Sequence, residues 1–479
     1  MKAGNAGALG TTNGGTFING GAALDVNGLS LGGEPVTVSG AGVGGSGAIL
    51  NRGAQITTAL RTLTLAGDTT FGGTGRWDIR NSGGAASLLS GGQPYTITKA
   101  GTNQVSLVGV NPIDAALGDI DIQQGVFAIQ TSTTQVGDPN RTLTVRGGAT
   151  LNLWALSGAP LNKRIVVEDG GTIWNESGSS VIVGPVTLTN GSATLNVGGT
   201  SLTFSNDVIS GPGGLVKTGA GTLTLRGLNG YTGGTLISAG MLALAGFGSI
   251  GNSAAITVAA SAALDVSGRA DGQLTLSGGQ ALGGNGTVSG SLLAAPGSLV
   301  SPGTSLGVLT VTNVVTLQGT TFMELDRSAG TNDVIRGAAL IQFGGTLALT
   351  NLNGALVAGD HFSLFSAANY SGNFGSLDPP TPGPGLRWDT SGLITNGTLR
   401  VAAVPVPIIA SVLLTPTNLV LGGSNGLPQG GYYLLAATNL ALPLSEWSRV
   451  ATNFFGADGT FRLTNSLDAP ACFYLLQSF

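Results

Sequence analysis

The chain of 479 residues holds a single cysteine, Cys472, and a single histidine, His361. One thiol cannot build a disulfide framework, and no metal centre made of several His or Cys ligands is available, so neither metal nor cofactor is expected. Charge is scarce as well, at 9% of residues where roughly 25% is usual, and the net charge is −4. The 19 Lys and Arg residues are scattered singly, which leaves no basic stripe to follow a phosphate backbone and argues against nucleic acid as a partner. The longest apolar run, Val401 to Leu414, contains Pro405 and Pro407 and falls short of the ~20 residues a membrane-spanning helix needs. Met1 to Gly10 carries Lys2 but no apolar stretch after it, so no secretory signal is readable. From Asn5 onward the chain reads like the interior of a repeat, and the expectation is that its true start lies upstream.

What is abundant is glycine, 83 residues, beside a 42% hydrophobic fraction. Disorder is sustained by high net charge and low hydrophobicity, and this chain has neither, so it should fold. Glycine disfavours helix by about 1 kcal/mol per interior position relative to alanine. With Thr, Val, Leu, Ser and Asn making up much of the remainder, strands and turns follow, and the expected class is all-β.

Short strands of one form recur: Thr62-Leu63-Thr64-Leu65, Thr142-Leu143-Thr144-Val145, Thr222-Leu223-Thr224-Leu225, Leu274-Thr275-Leu276 and Thr346-Leu347-Ala348-Leu349. Alternation puts Leu or Val on one side of a strand and Thr on the other, so one side is buried and one is wet. Segments this short cannot bury a core alone and must stack coil on coil, with glycine at the corners. A spacing of about 20 residues indicates a solenoid. At about 4.8 Å per coil it gives on the order of 20 coils and a rod of roughly 90 to 100 Å. Longer echoes support true repetition: Ala22-Ala23-Leu24-Asp25-Val26-Asn27-Gly28 returns as Ala262-Ala263-Leu264-Asp265-Val266-Ser267-Gly268.

The segment Gly211-Pro212-Gly213-Gly214-Leu215-Val216-Lys217-Thr218-Gly219-Ala220-Gly221-Thr222-Leu223-Thr224-Leu225, continuing through Asn229-Gly230-Tyr231-Thr232-Gly233-Gly234-Thr235, resembles the autotransporter-associated β-strand repeat. A weaker copy lies at Thr98-Lys99-Ala100-Gly101-Thr102, and Ser301 to Val311 is similar to the late passenger segment of the same family. The resemblance implies a right-handed parallel β-helix displayed outside a bacterial outer membrane. It departs from the family after residue 402, where too few residues follow to close even an eight-stranded membrane barrel.

At Val404-Pro405-Val406-Pro407 the texture changes, and Tyr432-Tyr433-Leu434-Leu435, Trp447-Ser448-Arg449-Val450, Phe461-Arg462-Leu463 and Phe473-Tyr474-Leu475-Leu476 read as strands of a small β-sandwich. The run Tyr432 to Gln477 resembles a C-terminal β-domain of secreted Verrucomicrobia-type proteins. The expected organisation is a parallel β-helix over residues 1–402 and a small β-domain over 403–479.

Some β-helices are polysaccharide lyases or hydrolases, so the acids need weighing. Asp119 and Asp121 lie two apart on one side of a strand, a spacing open to paired acids or a cation, but a solvated face is favoured. Asp25 and Asp265 recur at equivalent positions, which points to turn capping, and Glu168-Asp169 reads as a loop. His361 follows Asp360, yet neighbours in sequence rarely aim side chains at one another and no nucleophile elbow lies beside them. Gly72 to Asp78 lacks the order of a calcium-binding repeat, and Gly283-Gly284-Asn285-Gly286 lacks the helix of a phosphate loop. Trp77, Trp154, Trp174 and Trp388 could line a sugar groove, with core or cap packing preferred. Cys472 is expected to be a buried, inert thiol. No catalytic, cofactor or metal residue is assigned. The reading is a non-catalytic extracellular or cell-surface scaffold with adhesion to surface glycans or proteins as its role, against the alternative of a carbohydrate-binding or polysaccharide-degrading β-helix.

Overall fold

The computed structural model describes residues 1–133, 135–205, 209–467 and 472–478. The chain divides into two compact units: Met1–Gly354 with Phe362–Pro379 and Thr390–Leu399, and Ala355–His361 with Pro380–Asp389 and Arg400–Phe479.

The first unit is a parallel β-solenoid built on the alternation seen in the sequence. In Thr222–Leu225, Leu223 and Leu225 are fully buried while Thr222 and Thr224 look outward. Each strand pairs in register with its neighbours one coil before and after, so like sits on like. Leu202, Leu223, Leu242, Leu264 and Val288 form one such column, and all five are fully buried. The other Thr-Leu strands behave the same way, with Leu63, Leu143, Leu276 and Leu347 inside.

Three sheets carry these columns. The first runs from Thr16–Ile18 to Ile209–Ser210, the second from Ile56–Leu60 to Ser376–Asp378, and the third from Ser179–Ile182 to Phe365–Gly372. Midway a single coil visits all three, as Val186–Leu188, Ser192–Val197 and Ser201–Phe204. The chain makes about 14 turns rather than 20. The reason is that a turn covers two or three faces plus corners, so successive partners in the second sheet lie 18 residues apart at the closest, Leu282 to Val300, and 30 at the widest, Leu347 to Leu377. The stack is correspondingly shorter, roughly 67 Å at about 4.8 Å per turn.

Corners are tight enough to demand glycine in places. Gly219 has φ +76°, and a Cβ there would fall 2.4 Å from the carbonyl oxygen of Val197 in the preceding coil. A side chain at this position would meet backbone that cannot move without disturbing the ladder.

The second unit contains two three-stranded antiparallel sheets, one ordered Ile408–Leu414, Asn418–Ser424, Phe461–Ser466 and the other Ser448–Phe454, Gly431–Ala437, Phe473–Ser478. Leu419, Leu421, Phe461 and Leu463 of one pack with Tyr432 and Leu434 of the other and with Phe455. The rings of Tyr432 and Phe455 meet at a 35° tilt with centroids 4.5 Å apart. The arrangement is sandwich-like, and Ile408–Leu414, exposed along its whole length, adds nothing to that core.

Two outcomes test this account. Leu223→Ala should destabilise the protein by about 2–5 kcal/mol in urea titrations, as deletion of a buried Leu does, while Thr224→Ala on the outward side stays within about 0.5 kcal/mol. Among the described residues the ion pairs are few, each involving a partly exposed arginine. The melting temperature should therefore hold nearly constant between low and molar sodium chloride, because little of the fold rests on charge that salt can screen.

Candidate functional site

The acids singled out from the sequence hold coils together. Asp119 Oδ1 accepts the backbone N–H of Thr142 in the next coil at 2.7 Å, whereas Asp121 accepts from Arg146 Nε at 2.9 Å and from Gln123. Arg146 also reaches Glu168 at 3.1 Å, one coil further, so three successive turns are linked by one charge ladder. The two aspartates share a side of the strand but not a task. Asp25 Oδ1 accepts from the N–H groups of Asn27 and Arg52, and Asp265 Oδ1 from the N–H and hydroxyl of Ser267, which is the turn-capping role expected of a recurring acid. Asp169 Oδ1 receives Ser192 N–H at 2.8 Å from its loop.

Asp360 is occupied by the N–H of Val357 at 2.8 Å, while His361 is exposed at the head of its strand. Cys472 is a free thiol and half-buried rather than buried. Among the described residues no group of three or more His, Cys, Asp or Glu is placed to hold a metal ion. No helix of the described residues is long and apolar enough to cross a membrane, which leaves strand-built membrane spans unaddressed.

The tryptophans part company. Trp77 is fully buried, donates from Nε1 to the carbonyl of Gly72 at 3.0 Å and meets Phe71 edge-on at 5.2 Å, so it is core. Trp388 is half-buried in the second unit. Trp154 and Trp174 instead lie outward on adjacent strands of the second sheet, against the packing role preferred for them. Among the described residues several concavities indent the first unit, including three of about 180 Å³ or more. One of about 180 Å³ is lined by Leu244, Arg269, Leu274 and Gln280 among others. One of about 290 Å³ lies around Lys2, Asp25 and Arg52, and one of about 380 Å³ around Thr131, Ser132, Ala155, Gly158 and Ala159. None of the three brings together the carboxylate pair that hydrolysis or elimination on a sugar would require.

Sequence reasoning missed the buried lysines. Lys217 occupies an inward position between Leu195 and Ile237 of the neighbouring coils and is fully buried. Its Nζ donates to the carbonyls of Thr218 at 2.8 Å, Gly219 at 2.8 Å and Ala239 at 3.0 Å. Lys99 repeats the device between Phe71 and Ile122, donating to Ala100, Gly101 and Gln124 at 2.8, 2.8 and 3.0 Å. A corner exposes carbonyls that the ladder cannot use, and an ammonium with three donors satisfies them. The signal was present as Lys217-Thr218-Gly219 and Lys99-Ala100-Gly101, a lysine two residues ahead of a corner glycine. Lys163, also fully buried, spans to the carbonyls of Gly118 and Asp138.

The turn carrying the Lys217 corner is also where comparison with known proteins is informative. A family model described as the passenger-associated-transport-repeat matches residues 215–244. Over 192 residues the chain is 31% identical to the "Adhesin BmaC autotransporter" of Brucella suis biovar 1 (strain 1330), an alignment that covers 38% of this chain and 5% of that relative. Over these stretches the chain is similar to autotransporter passenger repeats. The chain thus spans a small fraction of the length of the curated relative it matches, and the matched passenger repeat corresponds to Gly214–Thr218, Thr222–Leu225, Thr235–Ile237 and Met241–Gly246, two strands from each of two successive coils with the lysine cage between them.

Burial pushes the Lys99 ammonium down to about 7 and those of Lys163 and Lys217 to about 8, from 10.5. At these three lysines the unfolded chain therefore binds more protons than the folded one between about pH 7 and 10.5, and their contribution to stability rises with pH across that window. Thermal melts should climb from pH 7 to pH 10, and the rise should shrink stepwise in Lys99→Met and Lys99→Met/Lys217→Met. A pH-independent wild-type melt would show that the cages hold the three ammonium groups at their ordinary affinity for protons.

Proposed function

We propose that this passenger-like solenoid is a non-catalytic scaffold presented at the bacterial cell surface or outside the cell, where its role is adhesion. The reading rests most on one observation: the turn matched by the passenger repeat, residues 215–244, sits within a continuous in-register parallel ladder. The similarity to a relative described as an adhesin supports the adhesive role. The disposition of the acids agrees with it, since Asp25, Asp119, Asp121, Asp169 and Asp265 are all engaged in turns or inter-coil bonds.

Beads coated with the purified chain should adhere to cultured epithelial cells or immobilised matrix proteins several-fold better than beads coated with a β-helix of unrelated sequence. The same preparation should release no product from pectin or a panel of plant and bacterial polysaccharides. Turnover on any of them, lost in Asp119→Ala, would overturn the scaffold reading in favour of an enzyme.

A further inference from the structure

We propose that the outer side of the second sheet between residues 150 and 178 is a saccharide-binding site, with Trp154 and Trp174 as its platforms and a neutral oligosaccharide as its ligand. This goes beyond the scaffold reading and stands or falls separately from it.

Strand alternation sets the geometry. In Thr150–Trp154 the buried Leu151 and Leu153 point inward, which puts Thr150, Asn152 and Trp154 on the outer side. In Thr172–Ser177 the buried Ile173 and Asn175 point inward, which puts Trp174 on the same outer side. Asn152 is the register partner of Trp174, so Trp154 and Trp174 are diagonal neighbours, about 8 Å apart at their Cα atoms for a strand spacing of about 4.8 Å and a rise of about 3.3 Å per residue. Trp154 is 37% exposed, an indole left partly in water.

Polar groups sit between the two indoles as sugar recognition requires. Asn152 Nδ2 donates to Glu176 Oε2 at 3.0 Å, one residue from each of the two tryptophan-bearing strands. Asn152 is fully buried beneath the patch, and its Oδ1 has no hydrogen-bond partner among the described residues. A pyranose offers apolar C–H faces to an indole and a rim of hydroxyls to amide and carboxylate groups, so the mixture fits a sugar better than a purely apolar or purely charged ligand. No lysine or arginine occurs in 150–154, 172–178 or 194–198, which selects neutral over acidic saccharides.

The patch continues into a hollow. Thr131 N–H donates to the carbonyl of Trp154 at 2.8 Å, and one residue past Trp154 opens the 380 Å³ concavity lined by Thr131, Ser132, Ala155, Gly158 and Ala159. Thr131 and Ala155, stacked at this corner, both have φ +53°, a left-handed conformation that ordinary residues adopt at a cost and that recurs at ligand sites. An oligosaccharide lying on Trp174 and Trp154 would extend along this hollow.

Full-length protein titrated with cellohexaose, laminarihexaose and mannohexaose, followed by tryptophan fluorescence and calorimetry, should show saturable binding of at least one at micromolar to millimolar concentration. Trp154→Ala and Trp174→Ala should each weaken it by about tenfold or more, a loss of about 1.4 kcal/mol. Trp154→Phe and Trp174→Phe should retain part of the affinity, and Trp388→Ala all of it, with melting curves unchanged throughout. Absence of saturable binding, binding of polygalacturonate alone, or full affinity in the Trp154→Ala/Trp174→Ala double variant would each overturn the site. Coated beads that still adhere while the sugar titrations fail would overturn the saccharide site and leave the adhesive scaffold standing.

Discussion

Everything in the first unit depends on a strand of four or five residues finding both of its edges occupied by other coils. Thr222–Leu225 buries two side chains and leaves two outside, far too little to hold itself folded. Its backbone groups bond to Ser201–Phe204 on one side and Met241–Gly246 on the other, and each of those depends in turn on a further coil. The core is therefore a set of columns rather than a cluster, and stability is shared along the stack by nearest-neighbour contacts. A column tolerates exchange of Leu for Val or Ile but not a missing side chain, since the coils above and below cannot close the gap without breaking register.

That constraint also explains what the polar residues do. Where the chain turns from one face to the next, it leaves carbonyls and amides outside the ladder, and each must be satisfied by something short or something threaded inward. Aspartates serve the amides from outside, as Asp119 and Asp169 do across one coil. Lysines serve the carbonyls from within, as Lys99 and Lys217 do. With 9% charged residues, many of them occupied in this way, little is left to give the outer faces a field, and recognition at the surface must come from shape, hydrogen bonding and aromatic contact.

Much of this was legible in the residues. The Thr-Leu alternation gave the inward and outward sides of strand after strand, and the recurrence of Asp25 as Asp265 indicated capping. The number of turns was not legible, because strand motifs reveal a spacing while the corners between them vary from one residue to eleven. The lysine cages were hidden for a different reason: lysine is ordinarily a surface residue, and only knowledge of the corner's unpaired carbonyls makes burial the better choice. Cys472, read as buried from its apolar neighbours, sits half-exposed just ahead of Phe473–Ser478, an edge strand of its sheet.

The two outward tryptophans sit at the boundary between these cases. The strands put Trp154 with Thr150 and Asn152, and Trp174 with Thr172, on the outer side, where the sequence had favoured core or cap packing, and alternation could not show that the two strands are adjacent. Parallel stacking supplies that step: residues some 20 apart in sequence become diagonal neighbours when a coil closes. A solenoid can thus assemble a recognition patch from single residues contributed once per turn, without altering the columns that hold it up. Selection on the outer side is decoupled from selection on the inner side, which is how a chain with so uniform a core can still carry a local and specific surface.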